Sequence, residues 1–301
     1  MKILVTGANG FIGRNICEHL SGKHDLLGPS HKELELLDEA AVRAYINQNG
    51  VDVIIHCANK GGTRNTAGAE RVVEDNLRIF FNLARNSNLV DKMIYFGSGA
   101  EYGKHRDLKK IKEEQFDEVV PKDDYGFYKY ACSRYAEKSE NIYNLRLFGV
   151  FGKYENYEMR FISNAIVKNL LGIDITINQN VVFDYLYIPD LIRVVEHFLK
   201  NKPKFHAYNV TPDKSIDLLE ICEMVNKISK KKSKTKVLNL GLNNEYTGSN
   251  SRLKREFPGT VFTNHEDAIR DLFSFYSSAL PTIKKEDIVS DRYLACCKSK
   301  T

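Results

Sequence analysis

The sequence predicts an α/β fold, a doubly wound parallel sheet carrying a smaller C-terminal α/β substrate-binding domain. Three observations predict it. The chain opens on an apolar run that passes through a glycine-rich turn into a helical pattern, "KILVTGANGFIGRNI". Apolar runs and helical patterns then alternate through the first half, which is the rhythm of a parallel sheet with crossover helices. At 301 residues and 43% hydrophobic residues, the chain can bury one large domain or two intimately packed ones.

The first run, "KILVT", is β-branched and apolar with almost no polar interruption, so it predicts a strand covered on both faces. Behind it Phe11, Ile12, Ile16 and Leu20 recur at helical spacing. In the turn between, Gly7 permits a tight bend, Gly10 lets backbone approach a pyrophosphate, and Gly13 lets helix and strand pack closely. Asn9, Phe11 and Ile12 complete this candidate dinucleotide turn.

A strand at 25–28, a helix over 38–49, a strand "VDVIIHCA" at 51–58, a helix over 69–86 and a strand "KMIYFGS" at 92–98 follow. Next come a polar loop over 104–122, a helix through "YGFYKYACSRYAEKS" and a strand "IYNLRLFGV" at 142–150. Beyond Gly152 the rhythm loosens into a helix near 159–171, "DITI", "VVFDYLYI", a helix over 189–200 and a return strand "AYNV" that completes the main sheet. A helix over 215–230, a strand "KVLNL", an Asn/Gly loop over 241–250 and two helical stretches ending near 276 close the pattern. The expected division is 1–155 with 181–211 as the dinucleotide-binding domain and 156–180 with 212–301 as the substrate-binding domain. The latter would cap the C-terminal edge of the sheet, where open α/β folds take ligands.

Composition excludes several classes. No apolar run approaches the roughly 20 residues of a bilayer span, and the N-terminus enters a strand without a leader, so the expectation is a cytoplasmic protein with no membrane partner. Six cysteines without metal-ligand spacing read as buried thiols in a reducing compartment, with no metal. The terminal "CCKSKT" lacks a prenylation pattern and reads as a frayed tail. The net charge of +5 gathers in "KKKSKTK" at 230–236 and "KKIK" at 109–112, which read as solvated surface that would also steer a diphosphate ligand. No finger, RNP-like or helix-turn-helix signature supports a nucleic-acid partner.

"YGFYK" sets Tyr125 and Lys129 four residues apart, on one face of a helix, and of sixteen tyrosines this is the only one with a lysine at that offset. With "TGANGFIG", "DVIIHCAN", "GSGAEYG", "YGFYKYACSRY", "NLRLFGVFG" and "FDYLYIPDL" in that order, residues 1–276 resemble an extended short-chain dehydrogenase/reductase of the branch acting on nucleotide-activated sugars. The resemblance implies a Rossmann fold and a catalytic triad of Ser98, four residues before "YG", Tyr125 and Lys129. Hydride reduction of a ketone builds negative charge on oxygen, so a phenol must deliver a proton there. The adjacent ammonium lowers the phenol's pKa and holds the nicotinamide ribose, and Ser98 hydrogen-bonds the same oxygen.

Ser30, His31 and Lys32, after the second strand, stand where a 2′-phosphate would lie, which predicts NADPH as the cofactor. Asp38 matches the family position at the adenine, and Cys57, Ala58 and Asn59 match the loop beneath the cofactor. Departures from the family narrow the chemistry. Sugar 4,6-dehydratases carry acids where this chain has Gly99 and Ala100. Fucose synthase-like members, which "HKELELLD" and "ANKGG" resemble, epimerise with a Cys and a His; Ala100 and Glu158 stand at those positions. What remains is reduction of a nucleotide-linked 4-keto(-6-deoxy) sugar to its C4 alcohol, in activated-sugar biosynthesis for surface polysaccharide.

Motif position assigns substrate contacts to Ser98, Phe148, Asn156, Arg160, Phe183 and Arg252, with Phe183 where the family's "RDF" places an arginine. The alternatives are a 4-epimerase that keeps a tightly held NAD and a non-catalytic dinucleotide-sensing module; the presence of both Tyr125 and Lys129 argues against the second. The resemblance also implies a homodimer through helices 67–87 and 124–139.

Overall fold

The first run and its successors build the main sheet in the predicted order. In the computed structural model, which describes residues 1–61 and 69–299, the first half runs β1 (Lys2–Thr6), α1 (Phe11–Leu20), β2 (Asp25–Leu27), α2 (Glu39–Asn49), β3 (Val53–His56), α3 (Val72–Ala84) and β4 (Lys92–Ser98). There follow β5 (Leu108–Ile111), α4 (Asp124–Ala136), β6 (Ile142–Leu147), β7 (Gly149–Phe151), α5 (Phe161–Leu170), β8 (Ile175–Asn180), β9 (Val182–Phe183), β10 (Tyr185–Tyr187) and α6 (Ile188–Lys200). The rest is β11 (Ala207–Val210), β12 (Ile216–Asp217), α7 (Leu218–Ile228), β13 (Thr235–Leu242), β14 (Tyr246–Gly248), α8 (Ser251–Glu256), α9 (His265–Ala279), α10 (Lys285–Val289) and α11 (Arg292–Ala295).

Six strands pair in the order β11-β6-β4-β3-β1-β2, all parallel. The chain steps outward from β1 to β2 and returns on the other side of β1 as β3. The order therefore reverses between β1 and β3, and a crevice opens beyond their C-terminal ends, as ligand sites do in such sheets. Alternate residues explain the apolar runs: Ile3, Val5, Ile55 and Leu145 belong to one core, and Leu4, Ile54 and Met93 to the core on the other face. A third core gathers Ile166, Ile177, Ile221 and Ile269 from α5, β8, α7 and α9.

Five expectations are corrected. The polar loop over 104–122 contains β5, and the loop over 241–250 contains β14; with β9 and β12 they form a second sheet in the order β12-β9-β14-β5. The signal is hidden because in β5 two exposed lysines sit between the buried Leu108 and Ile111, a pattern with neither alternation nor an apolar run. The strand expected over 142–150 breaks at Phe148, and its second part, β7, leaves the main sheet to pair with β10. The segment read as a frayed tail is tied down: Asn243 Nδ2 donates to the Lys298 carbonyl at 2.8 Å, and Cys297 Sγ donates to the Tyr293 carbonyl at 3.3 Å. Finally, the six cysteines are free thiols, but only Cys132 and Cys222 are buried, and Cys17, Cys57, Cys296 and Cys297 are half-buried.

Among the described residues no helix is long and apolar enough to cross a membrane. Gly62 of "ANKGG", positions 67 and 68 of the expected dimer helix, and residues 300–301 lie outside the described residues.

Candidate active site

The turn after β1 is built for close approach. Gly7 has a φ of +67°, and a Cβ there would lie 2.8 Å from the Ala58 amide nitrogen; a Cβ on Gly13 would lie 2.2 Å from the Gly7 carbonyl. Both positions therefore require glycine. Gly10 caps α1, with its N–H donating to the Gly7 carbonyl at 2.9 Å. Gly7, Asn9, Gly10, Ser30, His31 and Ala58 line a cavity of about 240 Å³ at the N-terminus of α1. A bare backbone turn, a helix N-terminus and a cavity over both fit the diphosphate and adenosine half of a nicotinamide dinucleotide.

The other proposed cofactor residues separate. Phe11, Ile12, Cys57, Ala58 and Asn59 line an adjoining cavity of about 320 Å³, and Asn59 accepts a hydrogen bond from the Tyr128 hydroxyl. Gly13 lies behind the turn. Asp38 lines neither cavity; it caps α2, with Oδ1 accepting from the Ala41 amide at 3.0 Å. Lys32 is exposed and lines neither. Ser30 gives both its N–H and its hydroxyl to Glu33 Oε2, at 2.7 and 2.8 Å.

Ser98, Tyr125 and Lys129 line the larger of these two cavities. Ser98 ends β4, and its Oγ accepts from the Ala100 amide at 3.1 Å. Asp123 caps α4 through the Gly126 amide at 3.1 Å, which starts the helix where Tyr125 and Lys129 share a face. The Lys129 ammonium donates to the Phe96 carbonyl at 2.6 Å and sits 6.0 Å from the Tyr125 ring centroid. Burial pulls Lys129 down to about 8, so it stays largely charged at neutral pH. Burial pushes the Tyr125 phenol up, against a Ser98 hydrogen bond and the Arg160 charge that pull it down. The lowering expected from Lys129 is thus outweighed by burial, and the phenol is protonated at neutral pH, the state a proton donor needs.

Tyr246 packs behind this wall without lining the cavity. Its hydroxyl is 3.3 Å from Ser98 Oγ, and its ring lies 5.0 Å from Phe148 and 5.4 Å from Phe183. Phe148 and Phe183 both line the cavity, and the Phe148 ring covers Gly99, 2.6 Å from where a Cβ would stand.

The carboxylates sort themselves by their partners. Glu101 is fully buried and turned inward: Oε2 lies 2.6 Å from Arg146 Nε and accepts from Ser133 Oγ at 2.6 Å. Glu158 pairs with Arg292 at 2.8 Å and does not line the cavity. Glu155 does line it; Oε2 accepts from Ser163 Oγ at 2.6 Å, and burial pushes the carboxyl up to about 7. Sequence reasoning missed Glu155, a single acid in an irregular loop, and Tyr246, in a stretch read as loop; neither position has a periodic or spacing signal. Its neighbour Asn156 is exposed and closes a turn, accepting from the Glu158 amide at 2.9 Å. Arg160 lines the cavity and makes no ion pair among the described residues. Arg252 does not line it; the side chain donates to the Ala207 carbonyl at 3.0 Å and pairs with Glu114 at 2.9 Å.

A dinucleotide turn at the switch point of a doubly wound sheet, opening onto Ser98, Tyr125 and Lys129, defines an extended short-chain dehydrogenase/reductase. The chain belongs to the NAD dependent epimerase/dehydratase family, whose model matches residues 3–211. Among its relatives, GDP-L-colitose synthase of Yersinia pseudotuberculosis is 25% identical over 263 residues, 76% of this chain and 82% of that one. Its fold is similar to the GDP-mannoheptose C4 reductase of Campylobacter jejuni solved with NADP bound (TM-score 0.79, 20% identity, covering 92% of this chain and 98% of that one). The UDP-glucuronic acid 4-epimerase of Bacillus cereus, solved with UDP-glucuronic acid and NAD, gives a TM-score of 0.77 at 22% identity, covering 93% of this chain and 100% of that one.

Proposed function

We propose that this enzyme uses NADPH to reduce a nucleotide-linked 4-keto sugar, of the 4-keto-6-deoxy type, to the C4 alcohol, in activated-sugar biosynthesis for surface polysaccharide. The observation that carries the reading is the make-up of the cavity. Ser98, Tyr125 and Lys129 line it, while Ala100 has no proton to exchange and Glu101 and Glu158 are held by Arg146 and Arg292; among the described residues Glu155 is the single carboxyl in the lining, one group where epimerisation needs two. The relative named for colitose synthesis and the neighbour named for C4 reduction support it.

NADPH supplies the hydride when bound. Tyr125 gives its phenolic proton to the ketone oxygen, Ser98 orients that oxygen, and the Lys129 ammonium stabilises the phenolate left behind. The choice of NADPH rests on Ser30 and His31 beside the cavity after β2; the Glu33 carboxylate on Ser30 is the feature that would favour NADH, and the ratio of kcat/KM for the two cofactors decides between them. With this reading go a homodimer in the cytoplasm, residues 1–155 with 181–211 holding the dinucleotide, and 156–180 with 212–301 holding the nucleotide sugar.

Turnover in deuterated water with unlabelled NADPH tests the chemistry. The expected product carries no enzyme-dependent deuterium at C3 or C5, and its C4 hydrogen comes from the cofactor, with NADPH oxidised in equal amount to product. Deuterium at C3 or C5 overturns simple reduction and makes Glu155 the first residue to mutate. The 4-epimerases among similar folds favour the second reading, which predicts a co-purifying dinucleotide and no net NADPH oxidation.

A further inference from the structure

A third cavity, of about 510 Å³, adjoins the catalytic one; Phe183 and Tyr185 line both. Its walls are aromatic and amide side chains, among them Tyr246, Asn178 and Asn244, and the Asn244 side-chain amide makes no hydrogen bond among the described residues. Flat rings beside the open amide edge of Asn244 suit a nucleobase, which needs a stacking face and in-plane hydrogen bonds. Tyr293, Cys296, Cys297 and Lys298 close one side of this cavity.

That closing segment is anchored from within. Lys168 is nearly fully buried on α5, and its only counter-charge among the described residues is Asp291, at 2.7 Å. A buried ammonium holds its partner firmly, because separation would leave an uncompensated charge. Two residues on, Tyr293 enters the third core and packs 5.4 Å from Phe161. Asn243, in the loop before β14, then binds the Lys298 carbonyl at 2.8 Å. The segment is thus fastened before, within and after α11, in a place where the cavity would otherwise stand open.

We infer that residues 291–298 form a wall of the substrate site and contact the nucleoside diphosphate half of the substrate. Lys298 lines the cavity and supplies a cationic charge, which Phe183 cannot; Lys104 lines it too, paired at 3.0 Å with Asp123 of the same wall. The inference rests on the reading of the substrate as a nucleotide sugar, and it adds a segment beyond residue 211, where the family match ends.

Cys296 and Cys297 make the wall directly measurable in the full chain. N-ethylmaleimide labelling of each thiol is followed by peptide mass spectrometry with UDP, GDP, CDP or dTDP, and with NADP⁺, binding being measured separately by calorimetry. A diphosphate that binds is expected to slow labelling of Cys296 and Cys297 at least about fivefold, whereas NADP⁺ leaves it unchanged. Binding without protection overturns the wall and leaves the reductase reading standing. Binding of none of the four overturns the nucleotide-sugar reading and the inference with it. Deletion of 296–301, which spares Asp291 and Tyr293, is expected to raise KM for the nucleotide sugar about tenfold with KM for NADPH unchanged; an unchanged sugar KM also overturns the wall.

Discussion

In the proposed reduction Tyr125 gives up a proton that its surroundings hold in place. Burial raises the phenol's pKa, so in the resting chain it holds its proton at neutral pH. Tyr125→Phe is expected to lower kcat by about 10²- to 10⁴-fold, the usual worth of a positioned proton donor, with dinucleotide affinity nearly unchanged. Steady-state kinetics beside a dinucleotide titration checks this, and retention of half the activity would remove Tyr125 from the mechanism. Glu155 titrates in the opposite sense to a paired surface carboxylate. Its folded pKa of about 7 lies above the usual glutamate range, so its contribution to stability is full below about pH 4.3 and is lost as pH rises through 7. Glu155→Gln keeps an acceptor for Ser163 without ionising. Between pH 5 and pH 8 it is expected to gain on the wild type by about 2–3 kcal/mol in urea unfolding. A constant difference across that range would show that Glu155 is not held neutral.

At the scale of elements, β4, α4 and β6 are locked together behind the site by one buried ion pair. Glu101 follows β4, Ser133 lies on α4 and Arg146 on β6, and all three meet within hydrogen-bond distance. Glu101→Ala strips Arg146 of its fully buried counter-charge and leaves Glu137, at 2.7 Å on the rim, as its one carboxylate partner among the described residues. Unfolding in urea is expected to show a loss of about 3–5 kcal/mol, with any fall in activity following the folded fraction. The same elements show what was legible in the sequence. β1, β3 and β4 could be read because a strand buried on both faces is an unbroken apolar run, and the turn because Gly7 and Gly13 have no room for a Cβ. β5 and β14 could not be read, since each is short and makes its hydrogen bonds to strands far away in the chain. Tyr125 and Lys129 announced themselves by one helical turn of spacing. Glu155 and the wall at 291–298 reach the site only through tertiary packing, which leaves no local pattern.

At the scale of the molecule, α3 and α4 pack side by side, and α4 presents Phe127, 41% exposed, and Tyr135, 39% exposed, to the outside. If the chain dimerises through the proposed helix pair, these exposed aromatics predict that Phe127→Glu yields a monomer in sedimentation velocity, with the triad still folded. A wild-type chain that sediments as a monomer would refute that interface. The ring of Phe148 over Gly99 bears on how this scaffold can change its chemistry over evolutionary time. Elimination would call for acids at 99 and 100, yet any side chain at 99 would drive its Cβ to within 2.6 Å of an aromatic ring that is itself packed on Tyr246 and Tyr102. An acid there would be accommodated only after Phe148 had shrunk, a change that opens the sugar cavity before any new activity repays it. Acids at 99 and 100 would therefore not suffice to turn this chain toward elimination, because the first of them demands a third change, at Phe148.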